Sequence, residues 1–73
     1  MSEAKEDGFM GKLTHRQREV AMLLSHGKLR KEIAEILGIS QNTVKTYAQI
    51  IFRKAGVNSQ KKLMALYFAE HNI

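Results

Sequence analysis

The 73 residues predict an all-α domain, a three-helix core followed by a C-terminal helix. Three observations carry this. Apolar residues recur at three- and four-residue spacing from Leu13 onward, the period of a helix with one buried face. Gly27, Gly38 and Gly56 each close one such pattern, where a residue in the left-handed region is favoured. Thr14, Ser40 and Ser59 stand just before the patterns begin, as N-cap residues do. A chain of this length forms one domain and buries only about 60% of its unfolded surface, which leaves a small core and little room for a catalytic cleft.

Residues 1–12 are polar, contain Gly8 and Gly11 and show no period, so they are expected to form a mobile arm ahead of a domain over residues 13–73. Phe9 and Met10 are able to pack on that domain, but nothing in the sequence demands it. Helix 1 should start after Thr14, where Thr14 and Gln17 form a T-x-x-Q capping box, and end near His26. Leu13, Val20, Leu23 and Leu24 make its apolar stripe. Helix 2 should run over about residues 30–37 with Ile33, Ala34 and Leu37 inward. Helix 3 follows Ser40 over about residues 41–55, and helix 4 follows Ser59 over about residues 60–70. Ile39, just ahead of the Ser40 cap, is placed to pack back on the core. Helices 2 and 3, joined by Gly38-Ile39-Ser40, have the form of a helix-turn-helix unit.

The formal net charge is +5, and it is unevenly spread. Residues 1–11 carry Lys5 against Glu3, Glu6 and Asp7, whereas residues 12–62 carry eleven Lys and Arg against Glu19, Glu32 and Glu35, a net of +8. A folded unit with that field attracts a polyanion, nucleic acid before an acidic membrane or protein. No cysteine is present, which excludes disulfides and cysteine-containing zinc sites. No run approaches the roughly 18 apolar residues that span a bilayer, and no signal-peptide core is visible, so a soluble cytoplasmic protein without a membrane partner is expected.

Helix 3 decides among these partners. With Val44 at zero and about 100° per residue, Tyr47, Ala48, Ile51 and Ala55 fall near Val44 and form the buried stripe. Asn42, Lys45, Thr46, Gln49 and Arg53 fall on the opposite arc. Those are side chains that read duplex DNA: Lys and Arg donate to guanine, Asn and Gln bond adenine in bidentate fashion, and a Thr methyl meets the thymine methyl. No acidic residue lies between Leu37 and Glu70, so nothing on this helix repels phosphate. A solvated face usually mixes both signs, and this one does not.

Leu13-Thr14, Arg16, Glu19-Val20, Leu24, Gly27, Lys31-Glu32-Ile33-Ala34-Glu35, Leu37-Gly38-Ile39-Ser40, Thr43-Val44-Lys45-Thr46, Arg53-Lys54, Gly56-Val57 and Ser59 together resemble the LuxR-type (GerE-like) DNA-binding domain, without gaps over about residues 13–70. The resemblance implies a transcription regulator whose helix 3 enters the major groove of double-stranded DNA. It implies base contacts from Lys45, Thr46 and Gln49, beside Asn42 from the geometry. It implies phosphate contacts from Lys31, Thr43 and Arg53, with Arg30 and Ser40 adjoining them. It also implies a homodimer through helix 4; the surplus apolar face of that helix puts Met64, Tyr67 and Phe68 at or near the contact, and so small an interface is expected to form in full only on DNA. RNA polymerase is a further partner that such a regulator admits. Several residues depart from the family pattern: His15 stands for a proline, Leu29 for a Ser or Thr N-cap, Tyr47 for a frequent His, Ile50 for a polar residue and Ala55 for a larger apolar one. The Leu29 change should cost about 1 kcal/mol of capping, and Arg30 beside Lys31 offers charge in return. Phe52 is placed to fill the room Ala55 leaves.

Met64 and Phe68 form a second apolar pair on helix 4, one face more than its own core needs, and either a partner or the arm would cover it. Ile50 lies off the buried stripe, as an ordinary exposed isoleucine, a thymine contact or a subunit contact. His15, His26 and His71 share no ligand spacing and read as surface or capping residues, and Met22 and Met64 as packing residues. No nucleophile, acid/base pair, metal set or cofactor loop is present in the sequence, so neither an enzyme nor a cofactor is expected. A sigma-region-4-like promoter-binding domain and a basic helical protein-interaction module remain as alternatives. The first has a similar helix-turn-helix but fits residues 55–59 and the apolar fourth helix less well.

Overall fold

The computed structural model describes residues 8–71, which form four α-helices and one 3-10 helix, with no strand among the described residues. After the 3-10 helix Gly8–Lys12 come α1 His15–Ser25, α2 Arg30–Leu37, α3 Gln41–Ala55 and α4 Gln60–His71. α3 lies at the centre, packed on both α1 and α2, while α4 closes the other side of α1.

The helix ends are held by the residues the sequence marks. Thr14 Oγ1 accepts from the Gln17 N–H at 3.2 Å and Gln17 Oε1 accepts from the Thr14 N–H at 3.1 Å, so two orphan donors are satisfied together. Ser40 Oγ caps α3 by accepting from the Thr43 N–H at 3.0 Å, and Ser59 Oγ accepts from the Lys62 N–H at 3.2 Å. Leu29 has no side-chain acceptor, so α2 keeps half a capping box: Glu32 Oε1 accepts from the Leu29 N–H at 2.8 Å. At the other end of α2, Gly38 takes φ +69°, a conformation that lets the chain turn directly into the α3 cap. α3 ends with Val57 N–H donating to Phe52 O and Gly56 N–H to Arg53 O, which satisfies carbonyls the helix leaves open.

One core joins all these elements. Val20, Ile33, Val44, Ile51 and Leu63 are fully buried, one or two from each α-helix, and each contributes on the order of 1.5–3 kcal/mol by leaving water. Leu13, Ala21, Leu24, Ala34 and Ala48 complete the centre. Leu23, Leu37, Ile39, Tyr47, Phe52, Ala55 and Val57 pack around it partly buried.

The N-terminal boundary differs from the sequence reading. Residues 1–7 of the expected arm lie outside the described residues, but Gly8–Lys12 belong to the fold: Phe9 is 3% and Met10 5% exposed. The Phe9 ring meets Tyr67 edge-on at 6.5 Å, and its N–H donates to Glu70 Oε1 at 3.1 Å. Lys54 Nζ donates to Lys12 O and to Gln17 Oε1, both at 3.1 Å, which ties the end of α3 to the same segment. The physical reason is aromatic burial between α3 and α4, which a periodicity test on a five-residue segment does not register. Met22 and Met64 also pack less completely than expected, with 41% and 37% of their surface exposed.

Candidate nucleic-acid interface

α3 divides into two faces along its length. Val44, Ala48 and Ile51 are buried, while Asn42, Lys45, Thr46, Gln49 and Arg53 are exposed on the side away from them. Both basic residues of the last turn, Arg53 and Lys54, sit at the negative end of the helix dipole, which favours them there. The exposed face therefore carries amide, hydroxyl and cationic groups and no carboxylate.

The start of α2 brings a further cation to this face. Arg30, in the first turn of α2, lines a cleft of about 300 Å³ with Lys45 and Gln49 of α3, floored by Leu24, Ala48 and Phe52. A residue expected at phosphate thus shares one concavity with two expected at bases. Gln60, the first residue of α4, forms the remaining wall. Its Nε2 donates to Leu24 O at 3.0 Å and Lys28 O at 2.9 Å, pinning the α1–α2 turn to the start of α4. Nothing in the local sequence around Gln60 marks that role, because both acceptors lie more than thirty residues away.

The other flank of α3 holds a second, more open cleft of about 350 Å³, lined by Thr43, Thr46, Tyr47 and Ile50. Tyr47, expected in the buried stripe, and Ile50, for which an exposed, a thymine-contacting and a subunit-contacting role were all open, are both half-buried here. The i, i+4 pair Thr46–Ile50 lies on the edge of the polar arc. Arg16 of α1 lies on this side, 2.7 Å from Glu19 Oε1. Its guanidinium is pushed up by Glu19 and to a smaller degree by Tyr47, and the Glu19 carboxyl is correspondingly held below its ordinary value. Both groups are solvent-facing, so this pair orients Arg16 more than it stabilises the fold.

Lys31, Ser40, Asn42 and Arg53 are exposed and line neither cleft. The Ser40 hydroxyl already serves the cap and shares a 2.8 Å hydrogen bond with the Thr43 hydroxyl. Of the expected dimer residues, Phe68 is 65% exposed and Met64 stands beside it, whereas Tyr67 is partly buried. Tyr67 stacks on His71 at 4.1 Å and donates its hydroxyl to Met22 Sδ at 3.4 Å. The 3-10 helix covers Tyr67 and leaves Phe68 open. His26 ends α1 with Nδ1 2.7 Å from Met22 O, His71 repeats this on Tyr67 O at 2.9 Å, and His15 faces Glu19. No group of three or more His, Cys, Asp or Glu gathers at one point among the described residues.

A short glycine turn that sets a capped, acid-free helix against a shorter partner helix defines a helix-turn-helix domain of the DNA-binding kind. The family model described as bacterial regulatory proteins, luxR family, matches residues 11–67. The chain belongs to that family, whose members are DNA-binding regulators of transcription. The transcriptional regulatory protein MctR of Rhizobium johnstonii is 36% identical over 73 residues, covering 100% of this chain and 33% of its own length. The CsgBAC operon transcriptional regulatory protein of Escherichia coli is 39% identical over 61 residues, covering 84% of this chain and 27% of its own length. The nitrate/nitrite response regulator protein NarP of Escherichia coli is 36% identical over 70 residues, 96% of this chain and 32% of its own length. The chain thus spans about a third or less of these relatives. No solved structure matches it. Among the described residues no helix is long and apolar enough to cross a membrane.

Proposed function

We propose that this domain binds double-stranded DNA sequence-specifically by laying α3 in the major groove. The observation that carries the proposal is the exposed, acid-free face of Asn42, Lys45, Thr46 and Gln49 opposite the buried Val44, Ala48 and Ile51. In this reading those four side chains meet base edges. Arg30, Lys31, Ser40, Thr43 and Arg53 meet phosphates on either side and set the register. The cleft shared by Arg30, Lys45 and Gln49 supports it, since a backbone and a base contact need to be made from one place.

A single domain of this size reaches only a few base pairs, so two copies are needed for useful specificity. The same proposal pairs them through α4, with Met64 and Phe68 at the contact and Tyr67 behind them. Two-fold pairing would set the recognition helices about 34 Å apart, one turn of DNA. Regulation of a promoter by such a pair, in the cytoplasm and within reach of RNA polymerase, completes the reading.

Selection of bound duplexes from a random pool tests it, followed by titration of the winner and of an unselected duplex at about 50 and 200 mM salt. A recovered motif, and a log K that falls by nearly one unit per log salt for each phosphate contact, are the expected results. Binding that is flat across that range, or a pool that yields no motif, would refute the proposal.

A further inference from the structure

We propose that the cleft of Thr43, Thr46, Tyr47 and Ile50 reads the 5-methyl group of thymine, so that the recognised site requires thymine at one or two adjacent positions and Ile50 is a specificity-determining residue. This rests on the major-groove reading above and adds to it what the second flank of α3 recognises.

The cleft lies on the DNA-facing helix but differs from the other flank in chemistry. Arg30, Lys45 and Gln49 give the first cleft cations and an amide. The second has no charged group in its lining, and both of its threonine hydroxyls are already committed. Thr46 Oγ1 donates to Asn42 O at 3.2 Å, within its own helix. Thr43 Oγ1 is bonded to Ser40 Oγ at 2.8 Å, within the cap. With both threonine hydroxyls turned to their own backbone or cap, the two threonine methyls, the Ile50 side chain and the Tyr47 ring form an apolar surface whose one uncommitted polar group is the Tyr47 hydroxyl. Thr46 and Ile50 are one helical turn apart and so present one continuous edge. Ile50 is half-buried in this cleft and not a scattered surface residue.

An apolar edge beside a row of hydrogen-bonding side chains matches one feature of the major groove. Of the four bases only thymine presents an apolar group there, its C5-methyl. The cleft is wider than one methyl group, which leaves space for the adjoining sugar or for a second thymine methyl.

The test uses the duplex recovered by random-pool selection, with each thymine replaced singly by 2′-deoxyuridine, a change that removes the methyl and keeps the pairing. Wild type, Ile50→Ala, Thr46→Ser and Lys45→Ala are titrated against each duplex, with circular dichroism as the folding control. The expected result is a loss of about fourfold at one or two positions for the wild type, the worth of burying one methyl group. Ile50→Ala should bring the thymine-to-deoxyuridine ratio at those positions close to one. Thr46→Ser, which keeps the hydroxyl bond and removes only a methyl at an exposed site, should lower the ratio even if Ile50→Ala proves poorly folded. Lys45→Ala should weaken both duplexes and leave the ratio intact. A selected site without thymine, no thymine position sensitive to deoxyuridine, or a ratio unchanged in both folded Ile50→Ala and Thr46→Ser would overturn the inference while leaving major-groove binding standing. Failure to recover any motif would instead remove the reading on which it rests.

Discussion

Replacing Phe9 by alanine should destabilise this domain more than any change at its exposed aromatic, although Phe9 stands in a segment with no helical pattern. The side chain is 3% exposed, and truncating a buried phenylalanine costs on the order of 3–5 kcal/mol. Part of that is the edge-on contact with Tyr67 at 6.5 Å, worth about 0.5–1.5 kcal/mol for a pair of this geometry. The lower end of the range applies, because the site lies at the edge of the core where a 3-10 turn relaxes more readily than a helix. Set against a total of about 0.05–0.15 kcal/mol per residue, 3 kcal/mol is a large share of the stability of so short a chain. It corresponds to a fall in Tm of about 12–24 °C, at about 4–8 °C per kcal/mol for a domain of this size. Thermal and urea unfolding followed by circular dichroism measure it, with Phe68→Ala as the control, since Phe68 is 65% exposed and should shift Tm little. Equal midpoints for Phe9→Ala and wild type would show that the 3-10 helix does not hold α3 and α4 together.

Further expectations concern the interface and the turns. Lys45→Ala should reduce specific binding by about 1–3 kcal/mol and relax preference at a few base positions, whereas Lys31→Ala should weaken selected and random duplexes equally and flatten the salt slope; identical behaviour of the two variants on both duplexes would refute the division of roles. Phe68→Glu should leave the domain folded by circular dichroism and abolish cooperative binding to a duplex with two half-sites, and retained cooperativity would move the dimer contact elsewhere. Gly38→Ala should cost about 1 kcal/mol in urea unfolding, because the position needs φ +69° and the open space around it offers no contact in return. Since Arg16 holds the Glu19 carboxyl below its ordinary value of 4.5, the stabilisation from that pair is complete above this pH and is lost as pH falls below it. Glu19→Gln should remove that small acid-side slope from a plot of Tm against pH, and an unchanged slope would assign it to other carboxylates.

Whatever is held by contacts within one turn of helix was legible in the amino-acid order. Thr14 with Gln17, Ser40 with Thr43, and Ser59 with Lys62 are three residues apart, and these caps place the starts of α1, α3 and α4 where the pattern predicts them. The bounds of α2 and α3 follow, and so does the division of α3 into a buried stripe and a polar arc, because a helical period converts directly into a face. The candidate base contacts were legible for the same reason. What depends on residues that meet across the chain came from packing alone. Phe9 reaches Glu70 across 61 residues, Lys54 reaches Lys12 across 42, and Gln60 reaches Leu24 across 36. These contacts bring Phe9 and Met10 into the core and pin the α1–α2 turn, and the packed helices set Arg30 beside Lys45 in one cleft. Local propensity carries no information about them, since each forms only after the helices have packed and brought distant segments together.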